Sequence, residues 1–228
     1  MKFPYKDIVA SECMGYRIYG TPENNYYPSI TTVLGNTVGE EKKAALEKWR
    51  NSLGHEAADK FTREAASAGT NVHLLIERYL KKEDLIQGDS FSVHEMSMFK
   101  AIKMDLNKID EVWGQEVPLY SDRLGVAGRC DCVGVYKGIK CIIDFKTSSR
   151  IKSTNDIEDY YLQLCAYAQM HNEMFGTNIS NGIILMTSAG GFPQRFSVDL
   201  TEYIEKLEKR VNTFYTQINM KLNTEETK

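Results

Sequence analysis

One stretch constrains this chain more than any other: Gly125–Ser149, GVAGRCDCVGVYKGIKCIIDFKTSS. Val126, Val133 and Val135 precede Lys137-Gly138, and Ile139, Ile142, Ile143 and Phe145 follow it. Two runs of β-branched and aromatic residues around a two-residue turn predict a β-hairpin. Gly138 supplies the positive φ that such turns demand, whereas Lys137 suits a type I′ turn poorly. If Tyr136 faces Ile139, counting back residue by residue sets Asp131 across from Asp144 on one face. Opposed residues have Cβ atoms roughly 4.5–5.5 Å apart. A slip of one residue would send the two carboxylates to opposite faces.

Carboxylates that close repel, and a shared proton or a cation relieves them. Lys146 follows Asp144 by two residues and projects from the same face. Carboxylate oxygens suit Mg²⁺ or Mn²⁺, which keep positions for water and phosphate. An ammonium beside them can orient or deprotonate an attacking water, or neutralise developing phosphoryl charge. The same spacing also fits a surface hairpin with an Asp–Lys cross-strand pair, and these residues alone leave both readings open.

With 228 residues, 42% of them hydrophobic and 26% charged, the chain suits one soluble α/β domain with a full core. Its net charge of −3 gives no global field for a polyanion, so such a partner must be held by a local patch or through metal. No apolar run approaches the ~20 residues of a membrane span. The first residues, MKFPYKDIVASEC, resemble neither a signal nor a transit peptide. Five cysteines with no CxxC pair predict reduced thiols and a cytoplasmic setting.

In chain order, Gly15–Gly20 reads as a short strand and Pro28–Gly35 as a short helix capped by Ser29. Glu40–Leu53 reads as a charged amphipathic helix ended by Gly54. Residues 55–82 give the longest helical pattern, with Phe61, Ala65, Ala68, Val72, Leu75 and Tyr79 as a buried stripe. His73 lies beside that stripe, with Gly69 and Glu77 four residues either side on its own face. Glu77 is placed to bond the second ring nitrogen or to face water. A helix over residues 91–108 follows, then a strand over 112–120 in which Glu116 can join the carboxylate face. After the hairpin, Arg150 and Lys152 form a basic loop. Asn155 and Glu158 predict a capping box opening a helix to Phe175, where Tyr160, Gln163 and Tyr167 share a face. Strands over 178–188 and 194–198 and a closing helix over 200–220 complete the order. The expected organisation is an N-terminal segment and helical cover over 1–110, a core over 111–222 and a frayed tail over 223–228, one compact domain overall. Three consecutive strands, a crossover helix and two more strands predict a mixed sheet flanked by helices.

Gly128-Arg-Cys-Asp131 followed by Ile143-Asp144-Phe-Lys146-Thr147 resembles the PD-(D/E)xK nuclease signature. Gly69-Thr-x-x-His73 upstream and Gln163-x-x-x-Tyr167 downstream resemble the further motifs of its RecB-like exonuclease branch. Within that branch the likeness is to the mitochondrial genome maintenance exonuclease family and its phage relatives, over most of residues 28–200. The motif's proline is absent, Cys130 standing before Asp131. The resemblance implies an α/β, restriction-endonuclease-like core and a metal-dependent deoxyribonuclease. It implies Asp131, Asp144 and Lys146 as catalytic residues, with Asp131, Asp144, His73 and Glu116 around Mg²⁺ or Mn²⁺. It implies Gln163 and Tyr167 as supports for substrate and Lys146, with Arg150 and Lys152 gripping the strand. A cover before the hairpin implies threading of single-stranded DNA from a free end, in replication, recombination or repair, in a bacterial or phage-encoded setting. Protein partners stay unspecified.

Some relatives hold an iron–sulfur cluster. Alternation places Cys130, Cys132 and Cys141 away from the carboxylates, and no cysteine follows Cys165, so no cluster is expected. Tyr16, Tyr19, Tyr26, Tyr27 and Trp49 are either core residues or stacking surfaces for unpaired bases. Two other readings stay open: an endonuclease of the same fold, and a non-catalytic nucleic-acid-binding recombination accessory protein.

Overall fold

The computed structural model describes residues 2–225, with side chains described to residue 221. A five-stranded sheet runs through the middle, in the order β4 (Ile109–Ser121), β5 (Val126–Tyr136), β6 (Ile139–Ser148), β7 (Asn181–Ser188) and β8 (Pro193–Asp199). Only β6 and β7 pair in parallel, and α5 (Glu158–Phe175) makes the crossover between them. The sheet is therefore mixed, as the element order predicts. Its inner strands carry continuous apolar runs, Ile142-Ile143 and Ile183 to Met186, because both faces are covered.

One face packs against α1 (Ile30–Asn36), α5 and α6 (Ile204–Glu225), burying Val117, Leu119, Ile142, Ile184 and Met186 with Leu162 and Phe214. The other packs against α3 (His55–Lys81) and α4 (Val93–Leu106), burying Cys132, Ile143, Phe145 and Leu185 with Leu75, Phe99 and Ile102. A smaller antiparallel sheet, β1 (Val9–Cys13), β2 (Tyr16–Gly20) and β3 (Tyr26–Pro28), precedes α1. The sequence reading found only its middle strand.

Local chemistry accounts for most boundaries. Ser29 caps α1 by accepting from the Thr32 N–H, though the helix runs one residue past Gly35. Gly54 ends α2 (Glu40–Leu53), and Gly176, at φ 62°, ends α5. The capping box ahead of α5 differs from the expected one. Ser153 and Asp156 form it, and it opens a single 3₁₀ turn before the helix proper. At the hairpin turn both Lys137 (φ 49°) and Gly138 (φ 78°) adopt the left-handed region. The type I′ geometry thus holds despite the lysine, aided by the Gly138 N–H donating to Asp110 Oδ2 at 2.6 Å. The closing helix continues to Glu225, beyond its expected end, and residues 226–228 of the expected tail lie outside the described residues.

Two expectations of burial fail. Phe61 is 45% exposed and Ala65 is also exposed, so the buried stripe of α3 begins only near Ala68. The neighbour of that outer half is α2, which itself has no buried residue. The N-terminal aromatics divide as well. Tyr19 is buried, Tyr16 packs edge-on to Phe214, and Tyr27 donates to Asp122. Only Tyr26 is strongly exposed, and Trp49 meets Phe61 edge-on at 5.9 Å.

Candidate active site

The site forms where β5 and β6 part. Their ladder runs from Tyr136↔Ile139 to Cys132↔Ile143, the register the hairpin arithmetic predicts. The paired register stops there, one step short of the expected Asp131–Asp144 pair, and the Asp131 carboxylate takes the next backbone donor of β6. Its Oδ2 accepts the Phe145 N–H at 2.8 Å. β5 also changes phase here. Val126 and Cys130 face the α5 layer, whereas Cys132 and Tyr136 face the α3 layer. Strict alternation placed Cys130 with Cys132, and this shift corrects it. Cys130, Cys132, Cys141 and Cys165 are all buried free thiols, and burial raises each thiol's pKa above the ordinary range. The phase change lets Asp131 reach toward α3, where His73 Nδ1 lies 3.6 Å from its Oδ2.

Glu116 completes a row across three strands. The β4–β5 register pairs Gln115 with Cys132 and Val117 with Cys130, so Glu116 comes opposite Asp131. Ligand atoms of His73, Glu116 and Asp131 all lie within 4.8 Å of one another. Glu116 is exposed by area, yet the surrounding protein and then the Asp131 charge raise its carboxyl pKa. Its φ of 49° is a left-handed conformation rare for a residue with a side chain. Such strain persists where the surrounding structure imposes it, and it gathers at functional sites. Glu77, the expected partner of His73, pairs instead with Lys81 at 2.5 Å.

Asp144 stands outside that trio, nearer α5. Its side chain is 1% exposed, and Lys146 Nζ lies 2.6 Å from its Oδ2. The contact is close enough for an ion pair but too poorly aligned for a hydrogen bond. Both Asp144 oxygens are thus buried without a hydrogen-bond partner among the described residues. Burial and the charge of Asp131 push its pKa up to about 6, against the opposing pull of Lys146. Burial lowers the Lys146 pKa, but Asp144 and Asp131 more than offset this and raise it. The lysine is therefore an ammonium at neutral pH, 5.1 Å from the centre of the Tyr160 ring. A buried carboxylate whose polar neighbour is the Lys146 ammonium, beside a trio of one imidazole and two carboxylates, fits a hard divalent cation. His73, Glu116, Asp131 and Asp144 are the residues that would hold it.

The Gln163 face of α5 is a wall rather than a free surface. Tyr167 is 2% exposed and accepts from Gln163 Nε2 at 3.3 Å. A Cβ on Gly128 would lie 3.0 Å from the Tyr167 ring, so the motif glycine makes room for that tyrosine. The ring's burial leaves Tyr167 a supporting position rather than one in direct contact with substrate. Gly69 has a parallel purpose on the opposite layer, its missing Cβ leaving space for Thr147 Oγ1 at 3.2 Å. In the basic loop, Arg150 is occupied by Asp156 at 2.8 Å. Lys152 has no ion-pair partner among the described residues, and burial, then Arg150, lower its pKa. Two features escaped sequence reasoning: the Phe145 N–H bond to the Asp131 carboxylate and the phase shift of β5. The apolar pattern of β5 contains the second, since Val126 and Val133 face one layer from positions of opposite parity.

No family model matches the chain. It is similar to Mitochondrial genome maintenance exonuclease 1 from three animals: 25% identical over 178 residues in Homo sapiens, 28% over 179 in Mus musculus and 27% over 183 in Xenopus tropicalis. Each match covers 75% of this chain but 51–52% of the relative, so the chain spans about half the length of the curated relatives it matches. A solved chain from Eubacterium rectale, described as an exonuclease candidate, aligns at a TM-score of 0.42 and 11% identity, over 75% of this chain and 65% of that one. That likeness is too loose to bear on function.

Proposed function

We infer that the chain is a nuclease of the superfamily its motifs resemble, a reading supported by its likeness to three mitochondrial genome maintenance exonucleases. We propose that this chain is a metal-dependent exonuclease that hydrolyses DNA phosphodiester bonds, taking single strands from a free end. One observation carries the proposal. His73, Glu116 and Asp131 converge beside an Asp144 carboxylate that is buried, without a hydrogen-bond partner and next to an ammonium. A divalent cation held there would polarise the phosphate as a Lewis acid and make water a better nucleophile. Lys146, held cationic by Asp144, donates to the attacking water or to a phosphoryl oxygen and offsets charge developing in the transition state. Tyr167 and Gln163 fix the floor under Asp131, and Lys152 meets the strand's phosphates.

The single-strand preference rests on charge and exposure. The net charge of −3 gives little non-specific hold on duplex. Most of the outer half of α3 and most of α2 lie open to solvent, which suits a cover past which a strand threads. The words genome maintenance in the relatives' names support the expected role in replication, recombination or repair. Those three relatives are animal proteins and do not speak for the phage or bacterial setting expected from sequence. Among the described residues no helix is long and apolar enough to cross a membrane. The test offers linear single strands, the same strands circularised and blunt duplex, with Mn²⁺, to wild type and to Lys146→Ala. Wild type is expected to digest the linear strand fastest, and Lys146→Ala to lose at least ~10²-fold in turnover. Rapid cleavage of the circle would favour an endonuclease, and unchanged turnover in Lys146→Ala would reduce the lysine to a structural ion pair.

A further inference from the structure

A cavity of about 330 Å³ lies beyond the site, between α3, α4 and the end of β6. On one side are Phe61, Ala65 and Ala68 of α3, on the other Met98 of α4, and along one edge Thr147 and Ser148. Resting on the exonuclease reading above, we propose that this cavity is a nucleobase subsite: it holds one unpaired base of the strand whose phosphate lies at the Asp131–Asp144 centre, stacked against Phe61.

Four observations converge on that occupant. First, the cavity continues the site. Thr147 directly follows Lys146, and Phe61, Ala65, Gly69 and His73 are successive i, i+4 neighbours, so a ridge winding along α3 leads from the cavity to the site. At 1.5 Å per residue that ridge spans roughly 18 Å, the length of a few nucleotides. Second, the ridge is shaped for a flat ligand. Its middle positions are alanine and glycine, and Phe61, 45% exposed, ends it with an aromatic surface braced by Trp49. Third, the polar groups suit a base edge better than a phosphate. Thr147, Ser148 and Ser149 offer hydroxyls able to donate or accept, whereas Glu64 on the lining repels an anion. Fourth, the volume of about 330 Å³ falls at the small end of the roughly 300–1,000 Å³ of small-ligand sites, room enough for a base. A strand with its bases splayed outward presents that group, and a duplex does not.

The test uses the full chain with Asp144→Asn to hold substrate uncut, in Ca²⁺. Single strands carry the fluorescent base 2-aminopurine at one position at a time from the end, and binding is followed by anisotropy. One position is expected to lose fluorescence on binding, and an abasic residue there to weaken binding about fivefold to a hundredfold. Phe61→Ala should restore that position's fluorescence, and Ala65→Leu, which fills the floor with a good helix former, should do the same with α3 intact. Cleavage by wild type in Mn²⁺ without any position-specific quenching would overturn the subsite and leave the exonuclease reading standing. Position-specific quenching by a protein that never cleaves would support the subsite and overturn that reading. Quenching that survives both substitutions would overturn the subsite.

Discussion

Helices α3 and α5 flank the same parting of strands, and they are built in opposite ways. From Tyr161 to Ala168, α5 is buried at every position, so its motif residues are held by packing on all sides. The inner end of α3 buries Val72, Leu75 and Ile76, while its outer half buries Ala58 alone and otherwise, with most of α2, faces solvent. The difference teaches where a motif residue can act. On α5, Gln163 and Tyr167 brace β5 from behind. On α3, His73 sits where burial gives way to exposure, and reaches the carboxylates from the open side.

Substitutions on the two helices should therefore separate stability from function. The largest effect is expected at Tyr167→Ala, which removes a buried ring from against Gly128 and deprives Gln163 of its partner. A loss of about 3–5 kcal/mol in urea unfolding follows from such truncations. A small loss would mean that the α5 face is not the packed wall described.

Next comes a pH effect on the α5 layer. His171 is buried, its Nε2 3.0 Å from the Tyr5 hydroxyl and its Nδ1 2.8 Å from Thr177 Oγ1. Burial lowers its pKa from 6.5 to about 4. Above pH 6.5 it is neutral in both states and costs nothing. As pH falls from 6.5 toward 4 the unfolded chain takes up a proton that the folded chain refuses, and stability drops. The shift is worth about 3 kcal/mol between those limits, and the loss stops growing below pH 4. Unfolding free energies at pH 7 and pH 4.5 should converge in His171→Gln relative to wild type. An equal pH slope in both would show that His171 does not carry the effect.

The smallest effect belongs to the open side. Leu46 on α2 is 57% exposed, and Leu46→Glu should change stability by no more than about 0.5 kcal/mol. A loss of several times that would show that the α2 face is covered by something in solution.

The sequence carried the sheet because the paired part of the hairpin is decided locally. Apolar runs, a two-residue turn and a period of two fix the register of Tyr136 to Cys132 against Ile139 to Ile143. The same logic made Lys146 a neighbour of Asp144, whereas the ladder stops one step short of pairing Asp131 with Asp144. That logic failed where tertiary packing intervenes. The phase of β5 follows from which layer each side must fill, so Cys130 went to the wrong face. Burial along α3 depends on whether a neighbour covers it, so Phe61 and Ala65 read as core. The box at Ser153 and Asp156 was displaced for a related reason: Arg150 anchors Asp156 and tightens the turn ahead of α5. Glu116 was legible only as an alternating position, because its left-handed backbone has no sequence signal comparable to a glycine.

The central claim is that these four side chains hold a divalent cation, and direct binding tests it best. Mn²⁺ titrated into the protein and followed by electron paramagnetic resonance should bind saturably to wild type. In Asp131→Asn and in Asp144→Asn affinity should fall by at least about tenfold, with the circular dichroism spectrum unchanged. Mn²⁺ binding as tight in both variants as in wild type would contradict the account.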